Sequence, residues 1–222
     1  MTARERHVFV TGGTGYIGRR LVPALLSRGH AVRVLTRAAS ASRVPEGASP
    51  VIGNALDAET FASSLRPEDT VVHLVGTPHP NPSKAAEFDR VDLASIRASV
   101  TAAARAGVSH LVYVSVAQPA PVMRAYVAAR ALGEAAIAEA GLTATVIRPW
   151  YVLGPDHWWP LLLLPAYAIA ELVPPMRDTA RRLGLVTLAQ MIRALVNAVE
   201  APPPRGEVRV VDVPAIRSSP TS

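Results

Sequence analysis

Three glycines at a spacing of three, Gly12, Gly15 and Gly18, punctuate the stretch Val8-Phe9-Val10-Thr11-Gly12-Gly13-Thr14-Gly15-Tyr16-Ile17-Gly18. The residues ahead of them read as a buried strand, and Ile17 to about Ser27 reads as an amphipathic helix. A phosphate group held at such a turn needs backbone N–H donors at close range, and side chains on the three glycines would fill the space it needs. The start of the helix aims the positive end of its dipole at the same point. Strand, Gly-rich turn and helix in this order predict a dinucleotide pyrophosphate site on the first strand–helix turn of a doubly wound sheet, walled by Thr11 to Gly18. The alternative is a Gly-rich turn that holds no ligand.

A second set of residues could move a proton. Tyr126 and Arg130 are four apart on a predicted helix, so both point the same way. A phenol beside a cation loses its proton more readily and could serve as acid or base in hydride transfer. Ser115, at a predicted strand end, could hold the substrate oxygen. The competing reading is a half-buried tyrosine and a surface arginine. Arg37 ends the second predicted strand. An acidic residue there suits the ribose hydroxyls of NAD, whereas arginine suits a 2′-phosphate, so NADP is expected ahead of NAD. Arg43 in the adjoining loop could join it. Asn54 to Asp57 could meet the adenine edge, although an Asp in a loop is as often a helix cap. Gly76 and Thr77 end the fourth predicted strand, and strand ends are where ligands sit in such sheets.

These residues need an alternating scaffold. Strands are predicted at 31–36, 51–52, 70–75, 109–116 and 143–147, with helices at 83–106, stopped by Gly107, and 126–140, stopped by Gly141. The alternation predicts an α/β fold, a doubly wound parallel sheet of the Rossmann type. One domain over 1–222 is expected, with 156–206 forming a small substrate-side lobe that includes a helix over 188–200. A closing strand at 208–213 and a disordered tail from 214 complete the reading. Trp158 to Pro175 is strongly apolar, but Pro160, Pro165 and Pro174 interrupt it and Glu171 charges it, which makes a poor membrane span. Trp158, Trp159 and Leu161 to Leu164 could cap the ligand with an apolar wall, complete a core, or dock a protein or membrane surface.

Composition narrows the classes. The 222 residues contain no cysteine, which excludes disulfides, thiolate metal sites and cysteine nucleophiles. No signal peptide is visible, and a cytoplasmic protein is expected. The net charge of +6 comes from scattered arginines, Lys84 being the single lysine, with few aromatics between them. A nucleic-acid surface is not expected, and an anionic cofactor accounts for part of the charge. His157 is a lone histidine, and no metal site is expected.

From residue 8 to about 155 the chain resembles the short-chain dehydrogenase/reductase superfamily. The resemblance rests on the glycine stretch, His110-Leu111-Val112-Tyr113-Val114-Ser115, and Arg148-Pro149-Trp150-Tyr151-Val152-Leu153-Gly154-Pro155. The atypical and extended branches are nearest: NAD(P)-binding, NmrA-like and epimerase-like proteins, and relatives of the nucleotide-binding accessory subunit of respiratory complex I. The resemblance implies that Pro149 and Val152 lie where backbone groups meet the nicotinamide carboxamide. It also implies a departure, since active members carry Tyr-x-x-x-Lys and this chain has Tyr126-Val-Ala-Ala-Arg130. Arginine keeps the charge but spreads it over a larger plane. Arg130 could still hold the nicotinamide ribose, but carbonyl reduction of the usual kind is put in doubt. The expected function is an NADP(H)-dependent oxidoreductase on a small, largely apolar substrate. The alternatives are a non-catalytic NADP(H)-binding sensor or assembly factor, and an epimerase or isomerase.

Overall fold

A computed structural model describes residues 5–155 and 182–220. The expectations for His157 and for Trp158 to Pro175 fall outside the described residues. In chain order the elements are β1 (His7–Thr11), α1 (Gly18–Ser27), β2 (Ala31–Thr36), β3 (Ser49–Ile52), β4 (Asp69–His73), α2 (Ala85–Glu87), α3 (Ala94–Ala106), β5 (His110–Val114), α4 (Arg124–Glu139), β6 (Ala144–Ile147), β7 (Tyr151–Leu153), β8 (Leu185–Thr187), α5 (Leu188–Glu200), β9 (Val208–Val211) and α6 (Val213–Arg217).

Seven strands form one parallel sheet in the order β3-β2-β1-β4-β5-β6-β9. The chain starts in the middle, winds outward to β3, then returns to β4 and winds the other way. That reversal lies between β1 and β4, where a crevice opens at the strand ends. Successive residues of a strand face opposite sides, so a sheet covered on both faces needs continuous apolar runs. Val8 and Val10 join α1 and α5 in one core, with Leu21, Leu25, Met191 and Leu195. Phe9, Val71 and Leu111 join the other, against Phe88, Ile96 and Ile137.

The structure differs from the sequence reading in four places. The predicted helix over 83–106 is broken: a π-helical stretch, Phe88–Leu93, separates α2 from α3. The wide turn buries Phe88, Asp92 and Leu93 together. Second, α5 was expected within a substrate-side lobe. Its buried Met191, Leu195 and Val199 instead extend the core beneath α1. Third, the expected disordered tail from 214 begins as a helix, α6, because Val213 and Ile216 are fully buried and Asp212 caps it by accepting from the Ala215 amide at 3.1 Å. Fourth, β7 and β8 pair as a separate two-stranded parallel sheet, with strands of three residues each, too short to show a period.

Two histidines are buried inside the main sheet. His73 Nδ1 lies 3.0 Å from Thr11 Oγ1 and 2.9 Å from Ser99 Oγ, and His110 Nε2 lies 3.0 Å from Thr145 Oγ1. Burial, aided by the charge of Arg130, lowers the His73 pKa to about 3; burial, aided by Arg209 and Arg6, does the same to His110. An unfolded chain protonates both near pH 6.5, so acidification from there toward pH 3 favours unfolding. Each histidine should cost about 1.4 kcal/mol of stability per pH unit across that window, and neither should matter above it. The melting temperature should therefore be level above pH 7 and fall steeply below pH 6, with His110→Asn reducing the slope. A melting temperature unchanged from pH 7 to pH 4 would contradict this burial.

Candidate functional site

The glycine turn is built by backbone packing on backbone. Gly12 adopts φ +77°, a left-handed conformation that glycine takes without a Cβ penalty, and its carbonyl accepts from Gly15 N at 3.0 Å. A Cβ on Gly18 would collide with the Gly12 carbonyl oxygen and the Gly13 backbone, so the start of α1 can approach β1 only as glycine. Gly13 is packed against Val34, 2.7 Å from where its own Cβ would stand. Gly15 is exposed, and a Cβ there would meet only Gly12 O, at 3.2 Å. Its Cα edge is therefore open to the cleft, which is the space a pyrophosphate needs beside the turn.

Two hollows meet at this turn, and both are lined by Gly12. The smaller, about 340 Å³, is lined by Thr14, Thr36, Arg37, Ser40 and Asn54 among others. The larger, about 670 Å³, takes its walls from Gly15 to Gly18, from Gly76 and Thr77, from Ser115, Tyr126 and Arg130, and from Pro149 to Val152. The structure thus brings together residues from six separate strand ends, β1 to β6. It leaves four of the expected residues elsewhere. Gly13, buried against Val34, lines neither hollow. Thr11 is buried against His73. Arg43 is exposed and lines neither hollow. Asp57 lines neither, and its Oδ1 caps a short turn by accepting from Glu59 N at 3.1 Å. Asn54 Oδ1 accepts from Leu56 N at 3.1 Å, which shapes the loop beside the smaller hollow.

Tyr16 ties the turn to the far wall. Its hydroxyl donates to the Pro155 carbonyl at 3.0 Å, its ring lies under the Arg20 guanidinium at 4.9 Å, and Gly154 leaves the space its phenol oxygen fills.

Arg130 is buried and held on three sides. Nη1 donates to the Val114 carbonyl at 2.9 Å, and Nη2 donates to Asp92 Oδ1 at 2.6 Å. Gly76 has no side chain where that Nη2 lies. Burial opposes the charge, but Tyr126, Tyr113 and Asp92 outweigh it, and the Arg130 pKa is raised. The guanidinium stands over the face of the Tyr126 ring, 5.2 Å from its centroid, and Phe88 packs against the same ring at 5.0 Å. This is a cation–π arrangement that fixes the ring. Burial also pushes the neighbouring Tyr113 phenol up to about 12, so Tyr113 stays protonated behind the site.

Sequence reasoning missed both carboxylates of the site. Asp92 Oδ2 accepts from the Thr77 amide at 2.9 Å and from its hydroxyl at 2.6 Å. Glu134 Oε1 accepts from Ser115 Oγ at 2.5 Å, Gln118 Nε2 at 2.8 Å and Arg148 Nε at 3.0 Å, and Arg148 completes a fork on Oε2. The signal for Glu134 was present: Tyr126, Arg130 and Glu134 follow one another at intervals of four along one face of α4. Asp92 has no comparable signal, because the π-helical stretch alters the spacing by which its inward direction would be read.

Comparison with known proteins agrees with this geometry. A family model described as NAD(P)H-binding matches residues 12–156. The chain belongs to that family. It is 30% identical over 170 residues to 4-hydroxy-2-methyl-3-oxo-4-farnesyl-3,4-dihydroquinoline-1-oxide ketoreductase of Stigmatella aurantiaca, covering 67% of this chain and 51% of that protein. It is 28% identical over 176 residues to ceramide reductase of Caulobacter vibrioides, covering 78% and 55%. The chain therefore spans about half the length of these relatives. Among solved structures, a short-chain dehydrogenase/reductase superfamily protein from Agrobacterium tumefaciens with bound NAD superposes with a TM-score of 0.65 at 17% identity, over 92% of this chain and 77% of that one. MoeE5 in complex with UDP-glucuronic acid and NAD gives 0.67 at 20% identity, over 92% and 75%. The chain shares the Rossmann fold of these structures, and the family assignment makes it an NAD(P)H-binding protein. Among the described residues, no helix is long and apolar enough to cross a membrane.

The two exposures at the turn separate binding from folding. Gly15→Ala should keep the wild-type melting temperature within a few degrees and weaken NADPH binding, because its methyl enters the phosphate space. Gly18→Ala should destabilise the fold by about 1–3 kcal/mol, because its methyl meets backbone that cannot rotate away. Calorimetry and cofactor titration on both variants check the pair. Equal NADPH affinity in Gly15→Ala and wild type would remove the turn from the site.

Proposed function

We propose that the protein is an NADP(H)-dependent oxidoreductase of the short-chain dehydrogenase/reductase type, acting on a small, largely apolar substrate. The observation that carries the cofactor preference is Arg37 on the wall of the smaller hollow, beside Thr36, Ser40 and Asn54. Its guanidinium has no ion-pair partner among the described residues, and it stands at the end of β2, where a 2′-phosphate would meet it. The glycine turn between the hollows suits a pyrophosphate, and the larger hollow then takes the nicotinamide. A bound nicotinamide supplies or accepts hydride. The chain itself offers Tyr126 as the proton-transferring group, with its ring oriented by Phe88 and Arg130. Pro149 to Val152 form the wall toward the ring, and Trp150 and Tyr151, in edge contact at 5.6 Å, make that wall apolar.

A second reading, a cofactor-holding sensor without turnover, is favoured by one observation. The two terminal nitrogens of Arg130 are engaged with Val114 and Asp92 rather than held ready for a ribose.

NADPH should bind more tightly than NADH, and Arg37→Ala should narrow the gap by about tenfold or more, as expected for loss of a charge-assisted contact. Equal affinities in the wild type would defeat the NADP assignment. Tyr126→Phe should lower turnover by about 100-fold and leave NADPH binding nearly intact. Undetectable NADPH oxidation by the wild type, across a panel of carbonyls, enones and quinones, would select the sensor.

A further inference from the structure

Two walls of the larger hollow differ in how firmly they are held. One is the glycine turn with the start of α1, a helix locked to the sheet through Leu21, Val22 and Leu25. The other is the stretch Pro149 to Val152, which leaves the main sheet after β6 and runs into β7. β7 lies outside the main sheet and pairs with β8: Tyr151 with Leu185, Val152 with Val186 and Leu153 with Thr187. A two-stranded ribbon of this length is marginal by itself, and its pairing sets no distance between β7 and the turn. Tyr16 reaches across that gap. Its hydroxyl donates to the Pro155 carbonyl at 3.0 Å, just past the end of β7. Gly154 admits the phenol, since a Cβ there would collide with the phenol oxygen. Arg20 steadies the base of the side chain: Nη1 donates to the Tyr16 carbonyl at 3.1 Å, and the guanidinium covers the ring at 4.9 Å from its centroid.

We infer that Tyr16 is a positioning residue, a strut that sets the spacing between the turn that takes the phosphates and the Pro149 to Val152 wall that meets the nicotinamide. This rests on the reading of the larger hollow as the nicotinamide end of an NADP(H) site, and it adds the residue that fixes the width of that end. The adenosine end is built without the strut. Its hollow is lined by Thr36 at the end of β2, by Arg37 and Ser40 after it, and by Asn54 after β3. A dinucleotide has to meet both ends at once, and a wall displaced by about an ångström loses its contacts with the far ring. Cutting the strut therefore weakens the nicotinamide half of the cofactor and leaves the adenosine half as it is.

The test compares NADPH with 2′,5′-ADP, which keeps the adenosine, the 2′-phosphate and one phosphate for the turn but has no nicotinamide. Dissociation constants for both are measured by titration calorimetry on the wild type, Tyr16→Phe, Gly154→Ala and the double variant, with the melting temperature of each. The wild type should bind NADPH more tightly than 2′,5′-ADP. Tyr16→Phe, which removes only the bonding hydroxyl, should weaken NADPH by about fivefold and leave 2′,5′-ADP within about twofold of wild type. Gly154→Ala, whose methyl displaces the phenol, should weaken NADPH by about tenfold with the same indifference to 2′,5′-ADP. Both changes cut one strut, so the double variant should bind NADPH no more weakly than Gly154→Ala alone. Tyr16→Phe carries the test if Gly154→Ala fails to fold. Equal weakening of the two ligands, unchanged NADPH affinity in Tyr16→Phe, or additive losses in the double variant would overturn the inference and leave the cofactor reading standing. A wild type that binds neither ligand would overturn the cofactor reading and the inference with it.

Discussion

Everything in the site depends on the approach of α1 to the end of β1, with only glycine between them. The missing Cβ of Gly18 lets the helix begin against the Gly12 carbonyl and the Gly13 backbone. Leu21, Val22 and Leu25 then fall onto Val8, Val10 and Val34 and lock the helix to the sheet. Because the apolar face of α1 is buried in this way, its N-terminus and Gly15 are left facing the crevice at the reversal of strand order. The geometry proposed to hold the phosphates is thus a by-product of core packing, and it needs no charged side chain in the turn. Cations are placed elsewhere: Arg37 flanks one hollow, while Arg130 in the other is neutralised by Asp92.

Paired arginines stand at the larger hollow and behind it. Arg130 and Arg148 would both be costly to place near the sheet without partners, and each has a carboxylate within hydrogen-bond distance. The carboxylates then draw in the protons of Thr77 and Ser115. A positively charged chain thereby walls its candidate substrate site with a neutralised arginine and a fixed phenol. The exchange of the usual lysine for Arg130 follows the same logic. A planar guanidinium can reach Val114 O and Asp92 at once and still cover the Tyr126 ring, whereas a lysine ammonium is a compact point charge on a flexible stem.

How much of this was legible in the sequence varies with the range of the interaction. The glycine turn is local, so Gly12, Gly15 and Gly18 announced both the strand and the helix around them. The buried strands were legible as apolar runs, and α4 as a helical stretch stopped by Gly141. Asp92 was not legible, because a π-helical stretch takes it off the 3.6-residue period by which a buried face is recognised. The role of Ser115 was read only in part. Its place at a strand end followed from the sequence, but the direction of its proton is set by Glu134, nineteen residues away on another element. The helix α6 was missed for a similar reason, since five residues have no visible period and are held by the burial of Val213 and Ile216. Asp57 shows the opposite case, a polar residue suited to a ligand that proves to be a cap.

The central claim is that one dinucleotide lies across the glycine turn, with its adenosine end at Arg37 and its nicotinamide end at Tyr126. Backbone amide shifts measured by NMR while NADPH is titrated in test this most directly. The account predicts that the amides of Gly12 to Gly18 move together with those of Arg37 on one side and of Thr77, Ser115 and Val152 on the other, all saturating at one dissociation constant. Shifts confined to one hollow, or a glycine turn that does not respond, would contradict it.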